Sequence, residues 1–127
     1  MHYRFRIHYT REEAEALLPQ LRVWLNELVV ARTTVSGLEN RISQLLASGQ
    51  DIGGESVNNS VRSLARMRTL LKEFQRRDIQ LKDLDQGLVD FPAIIGGREV
   101  FLCWEREEDT IGHWHALDSG YAGREKL

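Results

Sequence analysis

The chain reads as an α+β protein, a long antiparallel helical hairpin packed against a small antiparallel β-sheet. Two observations predict this class. Apolar residues recur at spacings of three and four from Ala14 to Leu45 and again from Val57 to Phe74, the repeat of a helix with one buried stripe. On both sides of that block the period falls to two, over Tyr3 to Tyr9 and again beyond Ile79, which is the repeat of strands. The 127 residues suit one domain over 1–127, with a strand at 1–9, the helical hairpin at 10–77, and a β-hairpin followed by a C-terminal strand and loop at 79–127.

At the start, Tyr3, Phe5, Ile7 and Tyr9 alternate with His2, Arg4, Arg6 and His8, so a strand would present one apolar face. Thr10-Arg11-Glu12-Glu13 has the spacing of a capping box and opens the first helix. Ala14, Leu17, Leu21, Trp24, Leu28, Ala31, Val35, Leu38, Ile42 and Leu45 then fill every a and d position of a coiled-coil-like heptad pattern. Pro19 interrupts it by removing an amide donor, which predicts a kink near Ala16 or a short first helix joined to a longer one. Gly49 and the run to Glu55 stop the helix.

A second helix is expected from about Ser56 to Arg77. Its stripe is Val57, Leu64, Met67, Leu71 and Phe74, widened by Val61 and Leu70, with Ser60 as the weakest member. Paired antiparallel, the first helix outruns the second by about ten residues at about 1.5 Å each, so the stretch around Leu17 to Trp24 needs the sheet as its cover. Leu18, Leu25, Val29, Val30 and Leu46 fall outside the seam. Two outlets exist for them: a homodimer through four-helix packing, or this chain's own strands. Before Arg32 both outlets stand, and after it the dimer is expected.

Ile79 to Leu84 reads as a short strand or an extended connector, and Gly87 allows a turn before Leu88 to Ile95. Gly96-Gly97 between two apolar runs is the composition of a two-residue hairpin turn. That turn sets Ile95 opposite Arg98, Ala93 opposite Val100, Phe91 opposite Leu102 and Val89 opposite Trp104, a coherent core face. The other face pairs Asp90 with Cys103, Pro92 with Phe101 and Leu88 with Glu105. Pro92 has no amide to give, which predicts that its strand is an edge.

The chemistry turns on the next strand, expected over Ile111 to His115 after the polar loop Arg106 to Asp109. With a three-residue loop His113 lies opposite Cys103 and His115 opposite Phe101, so Asp90, Cys103, Glu105, His113 and His115 share one face. These are ligand types for a divalent metal such as zinc, manganese or iron, and H-x-H on a strand sends both rings the same way. An even-length loop turns both histidines to the side of Trp104 and dissolves the set. The plainer alternatives are hydrogen-bonded histidines and a small buried Cys103. Gly120 to Arg124 has the makings of an anion-wrapping turn with the Arg124 fork, and equally of a surface turn. The Gly-Lys-Ser/Thr, C-x-x-C and H-E-x-x-H patterns do not occur.

Composition bounds the rest. A net charge of -2 argues against a general nucleic-acid binder, and the basic run Arg62, Arg66, Arg68, Lys72, Arg76 and Arg77 reads as the solvated side of a helix. A single cysteine and an opening without an apolar run predict a cytoplasmic protein, and no stretch has the length of a membrane span.

The blocks TREEAEALLPQL, GLVDFPA, FLCWE and WHALDSGYAGR, in that order, are similar to those of a family of small bacterial and archaeal proteins catalogued as domain of unknown function 2203. The resemblance implies a helical pair with a C-terminal sheet and names no activity. Where that family usually reads arginine, leucine, glycine, glutamate, this chain has Glu105, Arg106, Glu107 and Glu108, and where it commonly has tyrosine this chain has His113. The family-matched polar set is therefore Asp90, Cys103, Glu108, His115 and Arg124.

Two functional classes follow. The preferred one is a non-enzymatic interaction module that dimerises through its helices, with Asp90, Trp104, Trp114, His115 and Arg124 shaping a binding surface or locking the sheet. The alternative is a divalent-metal-binding protein, in its furthest form a metal-dependent hydrolase. Its ligand candidates are Cys103, Glu108, His113 and His115, with Glu108 or Asp90 completing the shell or serving as base.

Overall fold

A computed structural model describes residues 2–49 and 54–127 and sets two helices against a five-stranded antiparallel sheet. Helix α1 spans Arg11–Ser48 and α2 spans Glu55–Arg76. The strands are β1 (Gln80–Asp83), β2 (Leu88–Ile95), β3 (Arg98–Glu105), β4 (His113–Ala116) and β5 (Glu125–Lys126), each beside its neighbour in sequence.

The capping box forms as its sequence requires: the Glu13 amide donates to Thr10 Oγ1 at 3.1 Å and the Thr10 amide to Glu13 Oε1 at 2.9 Å. Pro19 does not split the helix. Leu18 and Leu21 beside it are both buried, and that packing offsets a missing amide worth about 3 kcal/mol. α1 closes at Gly49 in the left-handed conformation; of the expected stop, residues 50–53 lie outside the described residues.

The overhang is longer than the sequence suggests, 38 residues against 22. Ala14, Leu18, Leu21, Leu25 and Leu28 bury themselves among Val89, Phe91, Ala93, Val100, Leu102 and Trp104. The flank before Arg32 thus packs on the chain's own sheet at Leu18 and Leu25, whereas Val30 and Leu46 stay exposed. α2 meets α1 through Ser60, Leu70 and Phe74, with Phe74 against Trp24. Val61, Leu64 and Leu71 turn outward, because the contact line runs one residue away from the widest apolar stripe.

The segment 2–10 forms no strand, contrary to its alternating pattern. Its amides go to two carboxylates instead: Arg4 and Phe5 donate to Glu99 at 2.8 and 2.9 Å, and Arg6 and Ile7 share Asp78 Oδ2 at 3.0 Å each. A single ladder-like bond joins it to the sheet, Tyr9 N to Pro92 O at 2.8 Å. Pro92 has no amide to return that bond, which stops a strand from propagating. β2 is accordingly interior where β1 pairs with it, up to Asp90, and an edge at Pro92.

The β2–β3 register is the one that Gly96-Gly97 dictates, from Ile95 opposite Arg98 to Leu88 opposite Glu105. Both turn glycines have positive φ, 59° and 79°, as a tight two-residue hairpin requires. β4 starts later than expected, at His113, because Ile111 drops into the core with its amide on Glu15 Oε1 at 3.3 Å. The connection 106–112 is odd in length, so His113 still falls opposite Cys103 and His115 opposite Phe101.

Candidate functional site

The period of two sorts the sheet's side chains. Val89, Phe91, Val100, Leu102 and Trp104 face the helices with Trp114, and Asp90, Phe101, Cys103, His113 and His115 take the opposite side. That outer side is not bare. Phe5 lies on Phe101 with ring centroids 5.3 Å apart, and the segment from Leu117 to Tyr121 covers the region beside His115.

Beneath this cover Asp90, Cys103 and His115 come together, their ligating atoms all within 4.8 Å of one another. They are 2%, 0% and 2% exposed. His115 Nδ1 is 2.8 Å from the Ala116 carbonyl, which only accepts, so this nitrogen carries a proton and Nε2 is aimed at the cluster. Nε2 is 2.9 Å from Asp90 Oδ2. One further proton is shared there, on the acid or on the imidazole. Asp90 Oδ1 is buried without a hydrogen-bond partner.

Burial is the main force on both acids of the cluster. It raises Asp90 above the usual carboxylate range, with the His115 and Lys82 charges opposing it. Burial, reinforced by the adjacent Asp90 charge, pushes the Cys103 thiol up to about 12, while the Arg124 guanidinium works the other way. Cys103 is therefore a neutral thiol at pH 7 unless a cation takes the place of its proton.

A cavity of about 190 Å³ opens beside the pair, lined among others by Asp90, His115, Phe101, Lys82, Ser119 and Tyr121. Sequence reasoning missed Lys82, whose ammonium stands 5.5 Å from the centre of the Phe101 ring. The signal would have been the β1–β2 pairing, which a register shift between Leu81 and Asp83 hides.

Of the other candidates, Arg124 borders the cluster with its guanidinium against Cys103, and the rest lie elsewhere. Glu108 is held by the Arg124 fork at 3.2 and 3.1 Å, accepts from the Glu105 amide at 2.9 Å, and ties down its own loop. Its carbonyl also accepts from Trp104 Nε1 at 2.8 Å and from Arg22 Nη2 at 2.7 Å. Neither Glu108 nor Arg124 is free for a ligand, because each neutralises the other. His113 turns to Glu108, 3.4 Å away, rather than to His115. Trp104 and Trp114 pack on the core side of the sheet, so they cannot share a surface with Asp90. Of the sequence candidates, Asp90, Cys103 and His115 converge.

Residues 7–127 match the model of a family described as "Uncharacterized conserved protein (DUF2203)". No curated protein and no solved structure matches the chain.

Proposed function

We propose, for a chain that belongs to the DUF2203 family, that it binds a divalent cation through Asp90, Cys103 and His115 and leaves one coordination position open toward the adjoining cavity. The observation that carries this reading is the aim of His115: with Nδ1 tied to a backbone carbonyl, Nε2 points at a carboxylate oxygen and a thiol sulfur within 4.8 Å. A histidine ligand fixed through its other nitrogen is the usual outer-shell arrangement of metal centres. One thiolate, one imidazole and one carboxylate suit zinc or ferrous iron better than manganese, which prefers oxygen. Three protein ligands with a fourth place open are the pattern of catalytic rather than structural zinc, and a water held there would be a nucleophile source for hydrolysis. A cytoplasmic setting belongs to the same reading, since the single buried thiol is kept reduced there.

Metal analysis of protein purified without an affinity tag tests the proposal. About one zinc or iron per chain is expected, lost in both His115→Ala and Cys103→Ala. Binding must expel the Cys103 proton and the proton shared by Asp90 and His115, so affinity rises steeply from pH 6 to pH 8. Protein that takes up no metal at pH 8, and melts at the same temperature with chelator as with added zinc, sinks it.

A second reading concerns the far end of the hairpin. Val30, Leu46 and Val61 are 66%, 68% and 59% exposed, apolar side chains of the kind that packing against a second hairpin would cover. It is compatible with the metal site, which lies on the other side of the sheet from the helices.

A further inference from the structure

We infer that the cavity above Asp90 and His115 is a receptor for a small oxyanion, a carboxylate or phosphate group, held between the bound cation at its floor and Lys82 at its mouth. This rests on the metal reading and names the class of ligand that the open coordination position would receive.

Three independent features converge on Lys82. First, it is the additional residue of a bulge: Leu81 pairs with Val89 and Asp83 with Leu88, leaving Lys82 without a ladder partner. Bulges beside sites re-aim one side chain. Second, its ammonium stands over the Phe101 ring, which with Lys82 itself lines the cavity. Third, Lys82 forms no ion pair among the described residues, whereas the other cations near this face are spoken for: Arg124 by Glu108 and His8 by Glu99. The carboxylate that feels this ammonium is Asp90; with Asp90 committed to the cation, Lys82 is left to meet an anion.

The floor supplies the complementary half. Asp90 and His115 line the cavity floor and share one proton as a neutral pair, and Asp90 Oδ1 is buried without a hydrogen-bond partner, so without a cation the floor offers an anion an acceptor and no net positive charge. A divalent cation on the cluster supplies that charge and becomes the largest local one. The ligand is therefore bound only after the metal. About 190 Å³ is below the roughly 300 Å³ at which sites for drug-sized ligands begin, which limits the occupant to a molecule of a few heavy atoms.

The test uses the full chain loaded with zinc and freed of excess metal. Inorganic phosphate and acetate are titrated separately, and the rise in melting temperature is converted to an affinity. At least one of the two raises the melting temperature of the loaded protein and neither raises that of the metal-free protein; which one acts separates a phosphate ligand from a carboxylate. Lys82→Gln weakens that affinity roughly tenfold, the worth of one charge-assisted hydrogen bond. Lys82→Arg keeps most of it, Lys72→Gln on α2 leaves it unchanged, and the zinc content of all three variants stays that of the parent. Loaded protein that ignores both anions, or a Lys82→Gln variant that binds them as the parent does, overturns the inference and leaves the metal reading intact. A chain that takes up no zinc overturns both.

Discussion

Asp90 carries two opposed demands, an apolar burial that favours its neutral form and a neighbouring imidazole that favours its charge. Burial prevails, so its stabilising contribution is full below its ordinary value of 3.8 and is lost as pH rises through the higher value it has in the fold. Substitutions at the pair should therefore behave unequally. In metal-free protein at pH 7, His115→Ala removes the imidazole partner of Asp90 Oδ2 at a buried site and should cost about 3 kcal/mol. Asp90→Asn removes the charge but keeps a donor for His115 Nε2, and should cost less than about 1 kcal/mol while abolishing metal uptake. Urea unfolding in chelator, at pH 4.5 and pH 7, checks both: the parent should lose stability through Asp90 as pH rises, and Asp90→Asn should flatten that slope. Equal losses in the two variants would mean that the pair is held by shape rather than by its shared proton. The residue types at this site were legible in the sequence; which of them meet was not. Glu108 and Asp90 are both carboxylates of the polar set that the sequence singled out, and only the fold hands Glu108 to Arg124 and Asp90 to His115.

Among the elements, the opening segment 2–10 is the most unusual, since side-chain carboxylates replace the ladder that its alternation led one to expect. Burial acts against the charge of Glu99, but His8 and the amides of Phe5 and Arg4 together hold it below its ordinary 4.5. Its contribution is thus present above that value and lost as pH falls through the lower one in the fold, the reverse of Asp90. Acidification should free the segment before the sheet melts. Hydrogen-exchange protection of the Arg4 and Phe5 amides, corrected for the intrinsic rate at each pH, reads this out, and Glu99→Ala should show at pH 7 the loss of protection that the parent shows only in acid. Persistent protection in Glu99→Ala would place the anchor elsewhere. A second element-scale prediction concerns Gly87, which has φ of +66° and sits where an added Cβ would fall 2.6 Å from Arg106 Cβ. Gly87→Ala should cost about 2 kcal/mol in urea unfolding, from strain and from parting β2 and the loop after β3. The sequence marked Gly87 as a turn. It carried no sign of Arg106, because close approach is a property of two distant stretches brought together.

For the whole molecule, the sheet covers one half of α1 and α2 covers the other, and the cover is uneven. Beside the sheet Ala14, Leu18, Leu21, Leu25 and Leu28 of α1 are fully buried, whereas Val35, Leu38, Ile42 and Leu45 in the distal hairpin are half-buried and Val30, Leu46 and Val61 exposed. A two-helix layer is too thin to bury both its seam and its flank. We therefore expect a dimer by light scattering at micromolar concentration, and a monomer for the double variant Val30→Glu with Val61→Glu, with unchanged helical content. A monomeric parent at about 100 μM would remove the expectation and leave the sheet-side site untouched.

By itself the sequence determined the α+β class, the capping box at Thr10, the two helices and the β2–β3 register. These rest on local periods and on a two-residue turn whose parity admits a single alignment. The tertiary structure decided what local period cannot encode: that an alternating segment finds carboxylates instead of a ladder, that Leu18 and Leu25 pack inward while Val30 does not, and that Asp90, Cys103 and His115 meet beside a cavity that Lys82 overlooks. Each of these depends on which distant group satisfies a given amide, charge or apolar surface, and that is settled only when the whole chain is closed.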